Sequence, residues 1–303
     1  ILEQRERHRI RGVLGRYVSE EVARVIADQP ADFTQSLRGR RRPVTVLFAD
    51  LRGFTSWVET AEPEACVAQL NEYFGAVVDC VLAQGGTLQK FIGDAVLAVW
   101  GDTRSAGPAG DTVRAVNAAL AMEAAVARLN AQWAGRPDRT PMAIGVGLHH
   151  GVAMVGNVGH AQRMEFTVLG DVVNVAARLE SANRQLGTTI LVSETIRDLL
   201  GSTHRCAPLG RFGLKGRREA VGLFVPLPPS SESEAASGWL AANEAALATW
   251  NAGEFSAAAS AYAILAPQPT PLAEFFQHQA ERAQSLAATP PAEWRGEYRF
   301  DSK

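Results

Sequence analysis

Two aspartates stand where paired-cation chemistry would need them. Asp50 follows Val44-Thr-Val-Leu-Phe-Ala49, a β-branched run that reads as a buried strand. Asp94 falls at the tip of a hairpin predicted from Thr87–Ile92 and Ala95–Trp100, joined by Gly93-Asp94. With these strands side by side at a sheet centre, both carboxylates meet at one edge. Magnesium-class cations take a few carboxylates plus substrate phosphates. Two such cations about 4 Å apart can activate an attacking hydroxyl and hold leaving oxygens. Taken singly, Asp50 reads as the cap of the next turn and Asp94 as a hairpin residue; their joint placement is what favours metal. Asn174 and Arg178 are four apart in a helical stretch and share a face. Alone, Arg178 reads as a solvated helix charge, Lys215 as a surface lysine and Asp171 as a helix N-cap. Spacing gives only a weak reason to bring Arg163 to phosphate. Other patterns carry no chemistry. His149-His150 has no matching ligand partners and reads as structural, Gly145-Val-Gly147…Gly151 is no dinucleotide fingerprint, and Gly210…Gly216 lacks the Gly-Lys-Ser/Thr of a phosphate loop.

The elements that must position these residues follow from periodicity. A helix is predicted from Pro63, a favoured first-turn residue, to Gly85-Gly86, with Val67, Leu70, Phe74, Val77, Val78 and Val81 at helical spacing. Asp111–Trp133 and Asp171–Leu186 read as further helices. Met142–His149 and Val152–Val158 read as two strands separated near Gly151, and later strands fall near Thr189–Val192, Gly210–Leu214 and Val221–Val225. Strand, helix, strand, strand, helix, strand is the ferredoxin-like order. The fold class is therefore α+β, a ferredoxin-like βαββαβ domain with extra strands and a helix, plus a small C-terminal α-helical extension. Three regions are expected: a helical signalling or linker segment over 1–42, the α+β domain over 43–228, and a linker with helical extension over 229–303. Arg38 and Arg40–Arg42 read as a solvated part of the first linker. Trp250–Tyr262 resembles part of one tetratricopeptide hairpin, and about three such units are needed for a stable array. It is expected to pack on its neighbours, with the tail from Trp294 docking back on the main domain.

Composition narrows the classes. Hydrophobic residues at 47% and charged residues at 20% are ordinary for a globular chain of 303 residues, and a net charge of −2 gives no basic field for nucleic acid. Three cysteines without a CxxC pattern suit a reducing compartment. No uninterrupted apolar run approaches the roughly 18 residues of a bilayer span. The first residue is Ile1 and not Met. A cytoplasmic fragment is therefore expected, with an upstream sensor or inner-membrane anchor missing from it.

Phe48-Ala-Asp-Leu-Arg-Gly-Phe-Thr55, Lys90-Phe-Ile-Gly-Asp94 and Phe166-Thr-Val-Leu-Gly-Asp-Val-Val-Asn-Val-Ala-Ala-Arg178 resemble, in order and spacing, the three signature stretches of class III adenylate and guanylate cyclases. Arg16-Tyr-Val-Ser-Glu-Glu-Val-Ala23 resembles the stretch that precedes such bacterial domains. The resemblance implies two magnesium or manganese ions per active site, held by Asp50, Asp94 and the Leu51 carbonyl. It implies that Lys90 selects the purine and that Asn174 orients the ribose. Arg178 would stabilise charge on the α-phosphate, and Lys215 would hold the terminal phosphates. Thr167 falls where many animal adenylate cyclases carry aspartate, so base selection is expected to be looser; a hydroxyl can still accept from the adenine amino group. Lys90, where guanylate cyclases carry glutamate, favours ATP over GTP. The implied reaction forms cyclic AMP and pyrophosphate at sites shared across a homodimer. Three rivals stand beside it: a guanylate cyclase, a nucleotide-binding domain without turnover, and an interaction protein built on the C-terminal helices.

Overall fold

A computed structural model describes residues 39–59, 61–160, 163–214, 219–228 and 234–299. The helical stretches expected up to residue 38, including Arg16–Ala23 and Arg38, lie outside the described residues, as do Lys215 and Gly216.

Among the described residues, nine strands form one sheet. Its first half is β1 (Arg40–Arg52), β2 (Thr87–Ile92), β3 (Ala95–Trp100) and β4 (Ala143–His160), in the spatial order β2-β3-β1-β4. That is the ferredoxin-like arrangement. The second half adds β5 (Arg163–Leu169) as a branch on β4, then β6 (Ile190–Ser193), β8 (Val221–Pro226), β7 (Cys206–Gly213) and β9 (Glu297–Arg299). β4 is continuous, so the break expected at Gly151 does not occur: Gly151 stays in the ladder opposite Val44. One long strand is required because β4 serves three partners. It is antiparallel to β1 from Ala143 to Val155, antiparallel to β5 from Met154 to His160, and parallel to β6 over Val146–Leu148.

Helices α1 (Phe54–Val58), α2 (Pro63–Ala83) and α3 (Gly107–Trp133) follow β1 and β3. Leu47, Ala49 and Leu51 of β1 pack with Tyr73, Val77 and Val81 of α2 and with Ala115, Ala119 and Met122 of α3. α2 is long and apolar enough to cross a membrane by length and composition, although no uninterrupted apolar run announced it. Its buried Cys66, Gln69, Tyr73, Val77 and Val81 make it a helix of the domain core, and Glu64, Glu72 and Asp79 interrupt it. α3 starts before the expected Asp111. That carboxylate instead accepts from Ser105 Oγ (2.6 Å) and the Ala106 N–H (2.8 Å), clamping the preceding loop.

On the other face, Val172 and Ala176 of α4 (Asp171–Leu186) close over Val44, Val46, Leu97 and Val99. Asp171 is the first helical residue and Gly170 takes the N-cap position, so the expected cap is corrected. A short helix, α5 (Glu194–Leu200), had no sequence signal. The C-terminal helices α6 (Glu234–Asn251), α7 (Phe255–Leu265) and α8 (Ala273–Ala288) share one apolar cluster with α4, β7 and β8. β9 runs parallel to β7, and the Trp294 indole N–H donates to the Trp250 carbonyl at 2.9 Å.

Candidate active site

The register of the sheet puts Asp50 and Asp94 at the same edge. β1 pairs β3 antiparallel through Ala49 and Val96, and the hairpin tip at Gly93 (φ 64°) turns the chain just beyond that pair. The Asp50 and Asp94 carboxyls adjoin closely enough to share a hydrogen bond. Burial pushes the Asp50 carboxyl up to about 7, helped by the charge of Asp94, that shared hydrogen bond and the charge of Glu180; the Leu51 N–H, donating to Asp50 Oδ1 at 3.0 Å, works the other way. The Leu51 side chain is buried.

Two further groups face this pair, and neither was foreseen. Glu180 projects from α4 toward the sheet, and its carboxyl is raised chiefly by burial, with Ser181 and Arg52 offsetting. Tyr73 of α2 is fully buried, and its hydroxyl has no hydrogen-bond partner among the described residues. Burial first, and then Asp50, Asp94 and Glu180, hold its phenol above the ordinary tyrosine range. Glu180 fills the space beside Gly145, and nothing local in the sequence marks that contact. A Cβ there would collide with the Glu180 carboxylate, and Gly145 pairs with Asp50.

Adjoining, partly buried carboxylates with unrelieved repulsion make an all-oxygen donor pair that suits a hard divalent cation. Among the described residues no group of three or more His, Cys, Asp or Glu is arranged around a metal position. The remaining coordination positions of a bound cation would be left to backbone oxygen, water or phosphate.

The other candidates lie elsewhere in the chain. Lys90, near the end of β2, forms an ion pair with Glu165 of β5, Nζ to Oε1 2.8 Å. Thr167 is two residues beyond Glu165, opposite Gly156, and only 5% exposed. Asn174 is exposed on α4, and Arg178 is half-buried one turn on. No hydrogen bond or ion pair among the described residues joins either to the carboxylate pair. α4 rests tightly on β4 because Gly147 has no side chain: a Cβ there would strike the Ala176 carbonyl and the Glu180 backbone. Lys215 lies outside the described residues. Arg163 opens β5 opposite His160, so its backbone is placed.

The histidine pair is structural, as expected. His149 Nδ1 meets Ser193 Oγ at 2.7 Å, and His150 Nδ1 meets Thr45 Oγ1 at 2.9 Å in a chain that continues to Thr112.

Residues 38–226 match the family model described as the adenylate and guanylate cyclase catalytic domain. Adenylate cyclase 1 of Rhizobium meliloti (strain 1021) is 37% identical over 190 residues, which is 61% of this chain and 27% of that protein. The crystal structure of the adenylyl cyclase CyaB from P. aeruginosa is 34% identical with a TM-score of 0.60, covering 63% of this chain and 97% of that one. The guanylyl cyclase Cya2 is also 34% identical, with a TM-score of 0.57, covering 62% and 93%. The chain spans about a third of the length of the curated relatives it matches.

Proposed function

This chain belongs to the adenylate and guanylate cyclase catalytic-domain family, and from that premise we propose that it converts ATP to 3′,5′-cyclic AMP and pyrophosphate at two equivalent sites shared across a homodimer. The observation that carries this reading is the adjoining of Asp50 and Asp94 at one sheet edge.

Asp50, Asp94 and the Leu51 carbonyl hold two magnesium or manganese ions in this reading. When bound, the ions lower the pKa of the ribose 3′-hydroxyl and neutralise the triphosphate. The hydroxyl oxygen attacks the α-phosphorus in line. The O3′–P bond forms, the bond from the α-phosphorus to the bridging oxygen breaks, and pyrophosphate departs. The hydroxyl proton passes to solvent, since no side chain among the described residues is placed as a dedicated base. Phosphoryl chemistry of this type is governed by positioning and charge stabilisation. Asn174 orients the ribose, and the Arg178 guanidinium receives the charge that develops on the α-phosphate. Lys90 and Thr167 meet the purine, and Lys215 holds the terminal phosphates.

Two features favour two chains per site. Arg178 is not among the charges that act on Asp50, and among the described residues no hydrogen bond or ion pair joins it or Asn174 to the carboxylate pair of their own chain. Phe91, Ile92, Val152, Met154, Val158 and Leu169 are large apolar side chains left exposed on β2, β4 and β5. Exposed apolar side chains of that kind suit covering by a second copy. The purified chain, given ATP and manganese, should release cyclic AMP and pyrophosphate in equal amounts. Asp50→Ala should be inactive alone, and Arg178→Ala should keep about a hundredth of the activity or less. Mixed, they should recover activity through one intact site per heterodimer; proven mixing without recovery rules out shared sites. Faster turnover of GTP than ATP would move the reading to a guanylate cyclase.

A further inference from the structure

The base-reading corner contains a carboxylate that the sequence motifs did not single out. Lys90 and Glu165 belong to β2 and β5, strands that are not sheet neighbours but that approach each other at this point. Their ion pair is 2.8 Å long, with the Lys90 side chain 29% exposed and that of Glu165 56% exposed. In a strand, side chains two apart point to the same face, so Glu165 and Thr167 share one side of β5. The corner therefore sets an ammonium and a carboxylate beside the buried Thr167 hydroxyl.

These three groups differ in what they can discriminate. An ammonium only donates; it suits adenine N1 but can also reach guanine O6, so Lys90 favours adenine without excluding guanine. A hydroxyl donates and accepts, so Thr167 serves either. An ionised carboxylate only accepts. At the 6-position of the purine it suits the exocyclic amino group of adenine and repels the O6 carbonyl of guanine, whose N–H donors lie instead at N1 and N2. A lysine ammonium has three donors, so one bond to Glu165 leaves two for the base. Holding the flexible lysine stem before nucleotide arrives also removes part of the ordering cost of binding.

We propose that Glu165 is a specificity-determining residue of the purine site, which positions the Lys90 ammonium and supplies the acceptor-only charge that Thr167 lacks. This rests on the reading that Lys90 contacts the base. In Glu165→Gln the amide can present either a donor or an acceptor, so the preference for adenine is lost while shape is kept.

The test is steady-state kinetics of the full chain with manganese, using ATP and GTP separately, for wild type, Glu165→Gln, Glu165→Asp, Lys90→Gln and the Glu165→Gln/Lys90→Gln double variant. Glu165→Gln should lower the ATP-over-GTP ratio of kcat/KM about tenfold, through a higher KM for ATP and a lower KM for GTP, with kcat for ATP within about twofold. Glu165→Asp should recover part of the ratio. In the double variant the two effects should fall short of their sum, because the residues act on one base through one contact. An unchanged ratio in Glu165→Gln, or an equal loss for both nucleotides, overturns the proposal. A shift in Lys90→Gln without one in Glu165→Gln leaves Lys90 as the base reader and removes Glu165. No shift in either variant sinks the reading of Lys90 and Glu165 together.

Discussion

At the scale of single residues, the carboxylate pair ties binding to a stability cost. Asp50 has a folded value of about 7 against an ordinary 3.8. A carboxyl raised on folding binds its proton more tightly in the folded state, so its contribution favours folding at low pH and is lost as pH rises from about 4 through about 7. In the metal-free protein at pH 8, Asp50 is ionised against the unfavourable influence of Asp94 and Glu180. Asp94→Asn should then raise Tm by about 2 °C, while abolishing turnover. Manganese should raise the Tm of the wild type and leave that of Asp94→Asn nearly unchanged. Thermal melts with and without manganese read this without any assay of activity, and equal stabilisation of both proteins would move the cation site elsewhere. A second substitution isolates Arg178. Its guanidinium is read as meeting the α-phosphate chiefly in the transition state, so Arg178→Ala should lower kcat about a hundredfold to a thousandfold, with KM for ATP changed much less. A large KM effect with kcat preserved would place Arg178 in ground-state binding instead.

At the scale of elements, the seat of α4 on β4 decides where Asn174 and Arg178 point. Gly147 faces backbone of α4, and backbone cannot step aside, whereas Gly145 faces the flexible end of Glu180. Gly147→Ala should therefore destabilise by about 2 kcal/mol, the usual scale of overpacking, and should cost activity even where the protein remains folded. Gly145→Ala should cost less on both counts. Urea denaturation with parallel turnover measurements gives the order, and the reverse order would show that the helix seat is not what Gly147 maintains. The same elements mark what the sequence could reveal. β2 and β3 fall at the expected residues because the two short runs and the Gly93-Asp94 between them are local signals. Gly151 misled, since a glycine inside a run of strand formers reads locally as a turn; the ladders that β1 and β5 make with β4 override it. Asp50 and Asp94 were legible because strand order brings them together. Glu165 and Glu180 were not, because each acts through a contact between elements distant in sequence, Lys90 in one case and Gly145 in the other.

At the scale of the whole molecule, the C-terminal helices are continuous with the body that carries the site. Trp239, Trp250, Tyr262, Phe275 and Phe276 are buried in one cluster with Leu179 and Leu186 of α4 and with Phe212 and Leu223 of the sheet. Arg282 of α8 donates to the Gln185 carbonyl at the end of α4, and Glu274 lies against Gly187, the residue that ends that helix in a left-handed turn. The helix that carries Asn174 and Arg178 is thus held at its far end by residues about a hundred positions further along the chain. Truncation after residue 228 would expose the sheet side of this cluster. Each large apolar side chain returned to water costs about 1.5–3 kcal/mol, and a native domain has about 5–15 kcal/mol in all. A handful of such losses is enough to unfold it. The 1–228 protein should therefore be poorly soluble or show a broad, low-temperature melt with exposed apolar surface, and any folded fraction should turn over ATP slowly. A sharp melt at the Tm of the full chain, with unchanged kcat, would show instead that the sheet domain stands alone and that α6–α8 form a separate unit, so that the end of α4 needs no support from Arg282.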